Sequence, residues 1–151
     1  MKIENINDIL FSPLLTSNLV LYFLSGTKNN KIKIELIYFV LPIIYNSTLR
    51  NKLLKCKSSS SLKTFLTDDI KIDLIDLSKR MQAYNTLTNE SIITLSNYIK
   101  IEISDFLSIQ QEDVVNFKNE KNEILREYYK SAFYLGLIFS KEDYKTIFYK
   151  F

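Results

Sequence analysis

The stretch DDIKIDLID, residues 68–76, carries four carboxylates, and Asp69, Asp73 and Asp76 stand at i, i+4 and i+7. On one helix these three share a face and could take a divalent cation through oxygen ligands. The same spacing describes the wet side of an amphipathic helix whose Ile72, Leu74 and Ile75 turn inward. That second reading is preferred, because charged positions follow the helical period by default. Glu112, Asp113, Lys118 and Glu120 are residue types found in metal-dependent nucleases. A nuclease, however, needs its carboxylates on a rigid core strand, and these fall in a polar turn. Cys56 sits between Lys55 and Lys57, neighbours able to lower a thiol pKa, but the chain has no histidine to activate it. The absence of histidine also removes the commonest general base and metal ligand, and a single cysteine excludes an intramolecular disulfide and a structural zinc site. No catalytic residues, metal site or cofactor are therefore expected, and the chain reads as a non-enzyme.

With no chemistry in view, the elements themselves carry the reading. The 151 residues suit one domain, and 46% hydrophobic content with ten Tyr and ten Phe fills a sizeable core. Two glycines and two prolines disfavour a turn-rich sandwich or a glycine-rich phosphate loop. A formal charge of +3 allows contact with nucleic acid without arguing for it. The N-terminal MKIENINDILF lacks the continuous apolar core of a signal peptide, and the longest apolar run, 36–45, is about half a membrane span. A cytoplasmic protein without membrane contact is expected.

The fold expected is mainly α with a small β element. Three subregions are anticipated: an N-terminal helical part over 1–69, a winged-helix-like part over 70–117 and C-terminal helices over 118–151. Pro13 suits the first turn of a helix beginning after Ser12, with Gly26 placed to cap its end. The serine run 58–61 precedes a short helix over 62–66, and serine is a good N-cap. Ile72, Leu74, Ile75, Leu77, Met81 and Tyr84 form a helical stripe. A break at Asn85-Thr86 follows, then a helix started by Thr88-Asn89-Glu90 with Ile92, Ile93, Leu95, Ser96 and Ile99 inward. Residues 101–103, 106–109 and 114–117 are β-like, which gives the order of a winged helix-turn-helix. The clearest helix spans 119–140, and Gly136 on its apolar face calls for close approach of another backbone, since glycine there costs about 1 kcal/mol against alanine.

Residues 36–54, LIYFVLPIIYNSTLRNKLL, pose a sharper question. Lys31 to Leu36 alternates like a strand, but the longer run favours a helix, and Pro42 either bends that helix or restarts it as a first-turn residue. Arg50, one of only three arginines, follows eight residues later. It is expected to cap the end of the bent segment or to pair with a buried carboxylate or carbonyl.

These features together resemble the middle component of three-component ABC ATPase (ABC-3C, Lamassu-like) antiphage conflict systems. The likeness runs from about Phe11 to Phe148. FSPLLTSNLVLYFLSG resembles the family's opening Asn-Pro helix, with Ser12 for the asparagine. FVLPIIYNSTLR resembles its Leu-Pro segment ending in an arginine, and here Thr48-Leu49 replaces the usual preceding proline. SSLKTFL matches a Ser-Leu helix, LSKRMQAYNTLTNESIITL the arginine-bearing helix and its Thr-led successor, and AFYLGLIFS the Ala-x-x-Leu-Gly-x-x-Phe ending. Pro42, Arg50, Arg80 and Gly136 fall at those motif positions and are expected to be structural or interfacial.

The resemblance implies an adaptor between an SMC-like ABC ATPase and an effector, often a nuclease, with any DNA contact indirect. Arg50 and its basic turn, the 86–109 region and the exposed side of the C-terminal helix are the candidate contacts. A stand-alone winged-helix DNA-binding regulator is the alternative. The helix SIITLSNYIK carries only Lys100 as a base, where a DNA-reading helix presents several.

Overall fold

In the computed structural model, residues 9–151 are described. Helix α1 (Pro13–Gly26) starts as its residues dictate: the Ser12 hydroxyl accepts the Leu15 N–H at 3.3 Å, and Pro13 occupies the first position, where no N–H is needed. Strand β1 (Lys31–Lys33) runs into a 3-10 segment, Ile34–Phe39, and then into the one-turn α2 (Val40–Ile44) and α3 (Ser47–Leu54). Short helices follow: α4 (Leu62–Phe65), α5 (Lys71–Leu74) and α6 (Leu77–Ala83), then the longer α7 (Asn85–Ser96). Strands β2 (Ile101–Ile103) and β3 (Phe106–Ile109) lead through a loop to α8 (Glu123–Phe139) and α9 (Tyr144–Lys150).

The molecule is thus mainly helical with one small sheet. Helix α1 is buried on most sides because α8 packs along one flank and α7 along another. Its Leu19, Val20, Phe23 and Leu24 are fully buried. Phe23 and Phe39 both meet the Phe139 ring edge-on, at 6.0 and 5.8 Å, and Phe39 also lies 5.3 Å from Phe151. This aromatic cluster holds the end of the chain to the core.

The sheet is antiparallel, in the order β1–β3–β2. The hairpin 101–109 lies where the alternation of the sequence places it. Its third strand does not come from 114–117, which is loop and 3-10 turn, but from Lys31–Lys33. Residues 114–117 are tied elsewhere: the Ser25 hydroxyl accepts the Val115 N–H at 3.1 Å. The helix expected from Thr88 begins earlier, at Asn85, directly after α6, and the two helices meet at Tyr84. Thr88, Ser91, Ile92 and Leu95 turn inward, whereas Ile93 is exposed.

The stripe read over 72–84 is not one helix. A 3-10 turn, the one-turn α5 and a break before α6 change its phase, so Ile70 and Leu77 are buried while Ile72 and Ile75 are 77% and 74% exposed. Among the described residues, no helix is long and apolar enough to cross a membrane.

Candidate interface residues and the helix crossing

Pro42 is the third residue of α2, and all five residues of that turn are buried. The first four N–H groups of a helix have no intrahelical acceptor, so the missing proton of Pro42 forfeits nothing. The change of helical geometry comes before it, at Phe39–Val40, where 3-10 gives way to α. The other end of α2 leaves carbonyls unpaired, and Arg50 supplies a donor from α3. Its Nη1 donates to the Ile44 carbonyl at 2.9 Å, and its guanidinium lies 4.3 Å from the centre of the Tyr128 ring on α8. Half-buried Arg50 therefore joins α2, α3 and α8 through a hydrogen bond and a cation–π contact.

Arg80, on α6, donates through Nη2 to the Asp73 carbonyl at 2.5 Å, while its Nε is buried without a hydrogen-bond partner. The Asp73 carboxylate accepts from Asn46 Nδ2 at 3.3 Å, and Asn46 Oδ1 caps α3 by accepting the Leu49 N–H at 2.9 Å. Arg80 thus anchors the irregular 70–76 segment to the start of α3.

Gly136 lies where α8 crosses α1. A Cβ on Gly136 would stand 2.0 Å from the Phe23 carbonyl oxygen, and one on Gly26 would stand 2.0 Å from the Phe133 carbonyl oxygen. Both glycines of the chain therefore serve one antiparallel crossing, each against the other helix's backbone. Gly26 is not the left-handed cap expected of it; no glycine has a positive φ among the described residues. The expected cap was one of two uses for glycine near a helix end, and close approach is the one adopted.

An aromatic group adjoins Arg50 through Tyr128. Tyr45 lies 5.0 Å from Phe11, 5.7 Å from Tyr84 and 6.1 Å from Tyr128, and its hydroxyl donates to the Leu10 carbonyl. Burial, reinforced by the neighbouring phenols of Tyr128, Tyr84 and Tyr129, pushes the Tyr45 pKa far above the ordinary 10. The fold then keeps a proton that the unfolded chain releases, so this contribution is complete below pH 10 and is lost as the pH rises from there. Above pH 10 wild-type stability should therefore fall by up to about 1.4 kcal/mol per pH unit through this group. Urea midpoints measured from pH 8.5 to 11 should show a shallower loss in Tyr45→Phe.

The remaining candidates are dispersed. Asp69 is bound by Lys52 Nζ at 2.8 and 2.9 Å and by the Thr67 hydroxyl, and these donors hold its carboxyl below the usual range. Asp68 pairs instead with Lys71 at 2.7 Å. Glu112 and Asp113 fall in one 3-10 turn and Lys118 in another, with Glu120 just beyond it. No group of three metal-ligating side chains comes together among the described residues. Burial pushes the Cys56 thiol up, against the opposing pulls of Ser60 and Lys52, so Lys55 and Lys57 do not activate it.

The serine run caps a helix as expected and has a second use, a lysine anchor, that sequence alone does not indicate. Ser61 and Thr64 form a reciprocal capping box for α4, while Lys141 Nζ donates at 2.6 Å to the carbonyls of both Ser58 and Ser60. Lysine gives no periodic signal of such a long-range bond.

Buried helix crossings, an arginine spent on a carbonyl and scattered carboxylates define a helical protein organised around packing. The whole chain, residues 1–151, matches the family of the ABC-three component (ABC-3C) system Middle Component 3, and the protein belongs to that family. It is accordingly a component of a multi-subunit ABC-three component system. No curated protein and no solved structure matches the chain.

Proposed function

We propose that this protein is the non-enzymatic adaptor of an antiphage ABC-three component complex, bridging an SMC-like ABC ATPase and an effector, often a nuclease, in a Lamassu-like arrangement. Membership of a middle-component family is the observation that carries the reading. The distribution of side chains supports it: the arginines Arg50 and Arg80 are committed to main-chain carbonyls inside the fold. Large apolar side chains meanwhile stand in solvent, with Ile72 and Ile75 around α5 and Tyr149, 87% exposed, on α9. Side chains of that kind are available for a protein partner.

Co-expression with the ABC ATPase and effector of the same system tests the proposal. The adaptor reading requires co-purification with each of the two separately, through a salt wash that strips weak ionic contacts. Failure to retain either one refutes bridging.

The succession of α6, α7 and the β2–β3 hairpin favours a second reading, a winged-helix DNA-binding regulator. That reading requires salt-dependent binding of duplex DNA by the isolated protein. Absence of binding at low salt removes it.

A further inference from the structure

Among the described residues strand β1 forms one edge of the sheet, since the order is β1–β3–β2. In an antiparallel pair, successive residues point their main-chain groups alternately toward and away from the partner. The Ile34 N–H donates to the Asp105 carbonyl at 3.1 Å, so Ile34 and Ile32 face β3 while Lys31 and Lys33 face outward. The Lys33 carbonyl serves the 3-10 turn that it caps. The Lys33 N–H and the Lys31 carbonyl, one donor and one acceptor two residues apart, have no hydrogen-bond partner among the described residues.

A cleft of about 460 Å³ runs along this edge, between β1 and the turn that joins α8 to α9. Ile32, Leu36 and Phe139 are the buried apolar residues lining it. On the outer face of the sheet, Lys31 and Lys33 place their ammonium groups 5.2 and 5.3 Å from the centre of the Phe106 ring, and neither has a carboxylate within salt-bridge distance among the described residues.

We propose that this edge accepts an extended segment of a partner protein as a fourth strand, with the pattern acidic–apolar–acidic. The residue opposite Ile32 points inward over Leu36 and Phe139, and its two neighbours point outward beside Lys31 and Lys33. Main-chain pairing supplies the binding and the alternating side chains supply the selectivity. Charge decides between occupants. A second copy of β1 would bring lysines against lysines. A nucleic acid would leave the main-chain groups of the strand edge unpaired, and Glu142 and Asp143 belong to the far wall of the cleft, in the turn between α8 and α9. As a contact for the adaptor this deepens the function proposed above and rests on it, but peptide binding by the isolated chain is measured separately from co-purification, so either can fail alone.

The test is a titration of the isotopically labelled protein, followed through its amide signals. The probes are a capped peptide containing Asp-Val-Glu between glycines, its Lys-Val-Lys counterpart and a ten-residue oligothymidylate. The acidic peptide should shift the 31–33 amides saturably, with a Kd on the order of millimolar, and charge reversal at Lys31 and Lys33 should weaken it at least about fivefold.

Lys33→Pro isolates the main-chain donor. Lys33 has φ −53°, which proline adopts, and its N–H is not used by β3. Lys33→Pro should lose binding, whereas Lys33→Ala, which removes the same charge, keeps part of it. Methylating the peptide nitrogens on wild-type protein makes the same test without altering the fold. The proposal is overturned by no saturable shift, by equal binding of the basic peptide or the oligonucleotide, or by Lys33→Pro binding as well as Lys33→Ala. It is overturned also if methylated peptide binds unchanged, or if the edge amides respond to protein concentration alone, which would place a second copy there.

Discussion

Gly136→Ala should lower the stability of this protein by about 3 kcal/mol or more, near and beyond the upper end of the usual penalty for overpacking. In an exposed helix the same change would stabilise by about 1 kcal/mol through helix propensity. Here the new methyl meets the Phe23 carbonyl oxygen at 2.0 Å, and that oxygen is part of a helix backbone with no alternative rotamer. The crossing of α1 and α8 must open, and the packing of Phe23, Leu24, Ala132 and Leu135 loosens with it. For a domain of this size the melting temperature should fall by about 6–12 °C.

Gly26→Ala should behave similarly, because its contact with the Phe133 carbonyl is the mirror of the first. The pair offers an internal check. Once one alanine has separated the helices, the second finds the space already made, so the double variant should lose less than the sum by about 0.5–3 kcal/mol. Strict additivity in chemical denaturation would contradict a shared crossing.

Arg50→Ala is the second large effect, expected to cost about 2–4 kcal/mol because it removes a charge-assisted hydrogen bond and a cation–π interaction at once. The Ile44 carbonyl would keep its desolvation without its donor, and the face of Tyr128 would lose its cover. Arg50→Lys separates the two parts. An ammonium can reach a carbonyl but cannot lay a flat guanidinium along a ring, so lysine should recover only part of the loss. Equilibrium unfolding of the three proteins, with Tyr128→Leu as the partner change, gives the coupling directly. If Arg50→Ala unfolds at the wild-type midpoint, Arg50 does not hold α2, α3 and α8 together.

How much of this was legible depends on the range of the interaction. Ser12-Pro13 and the alternation of 101–109 are local signals, and the elements they mark lie where they point; the helix expected over 119–140 starts only at Glu123, where the Asn122 side chain caps it. Arg50 was readable as a cap or a partner for a buried group, since an arginine soon after an apolar run has few other uses; which carbonyl it reaches was not. The 70–84 stripe misled because a periodic pattern does not report a break in phase, and a 3-10 turn with one short helix was enough to expose Ile72 and Ile75. The strand-like alternation from Lys31 was outweighed by the longer apolar run after it, because its three-residue strand pairs only through β3, more than seventy positions away. The helix crossing did leave a trace. FLSG at 23–26 and FYLG at 133–136 share the spacing Phe-x-x-Gly and contain both glycines of the chain. Two glycines in otherwise apolar helices, each three residues after a phenylalanine, are what reciprocal backbone contact requires.

The central claim is that this subunit joins two others, and the direct measurement is the mass of the assembly with and without it. Purified ATPase and effector, mixed alone and then with this protein, can be weighed by native mass spectrometry. The adaptor account predicts a species containing all three proteins, with no ATPase–effector complex when this chain is omitted. An ATPase–effector complex of the same abundance without it would contradict the account.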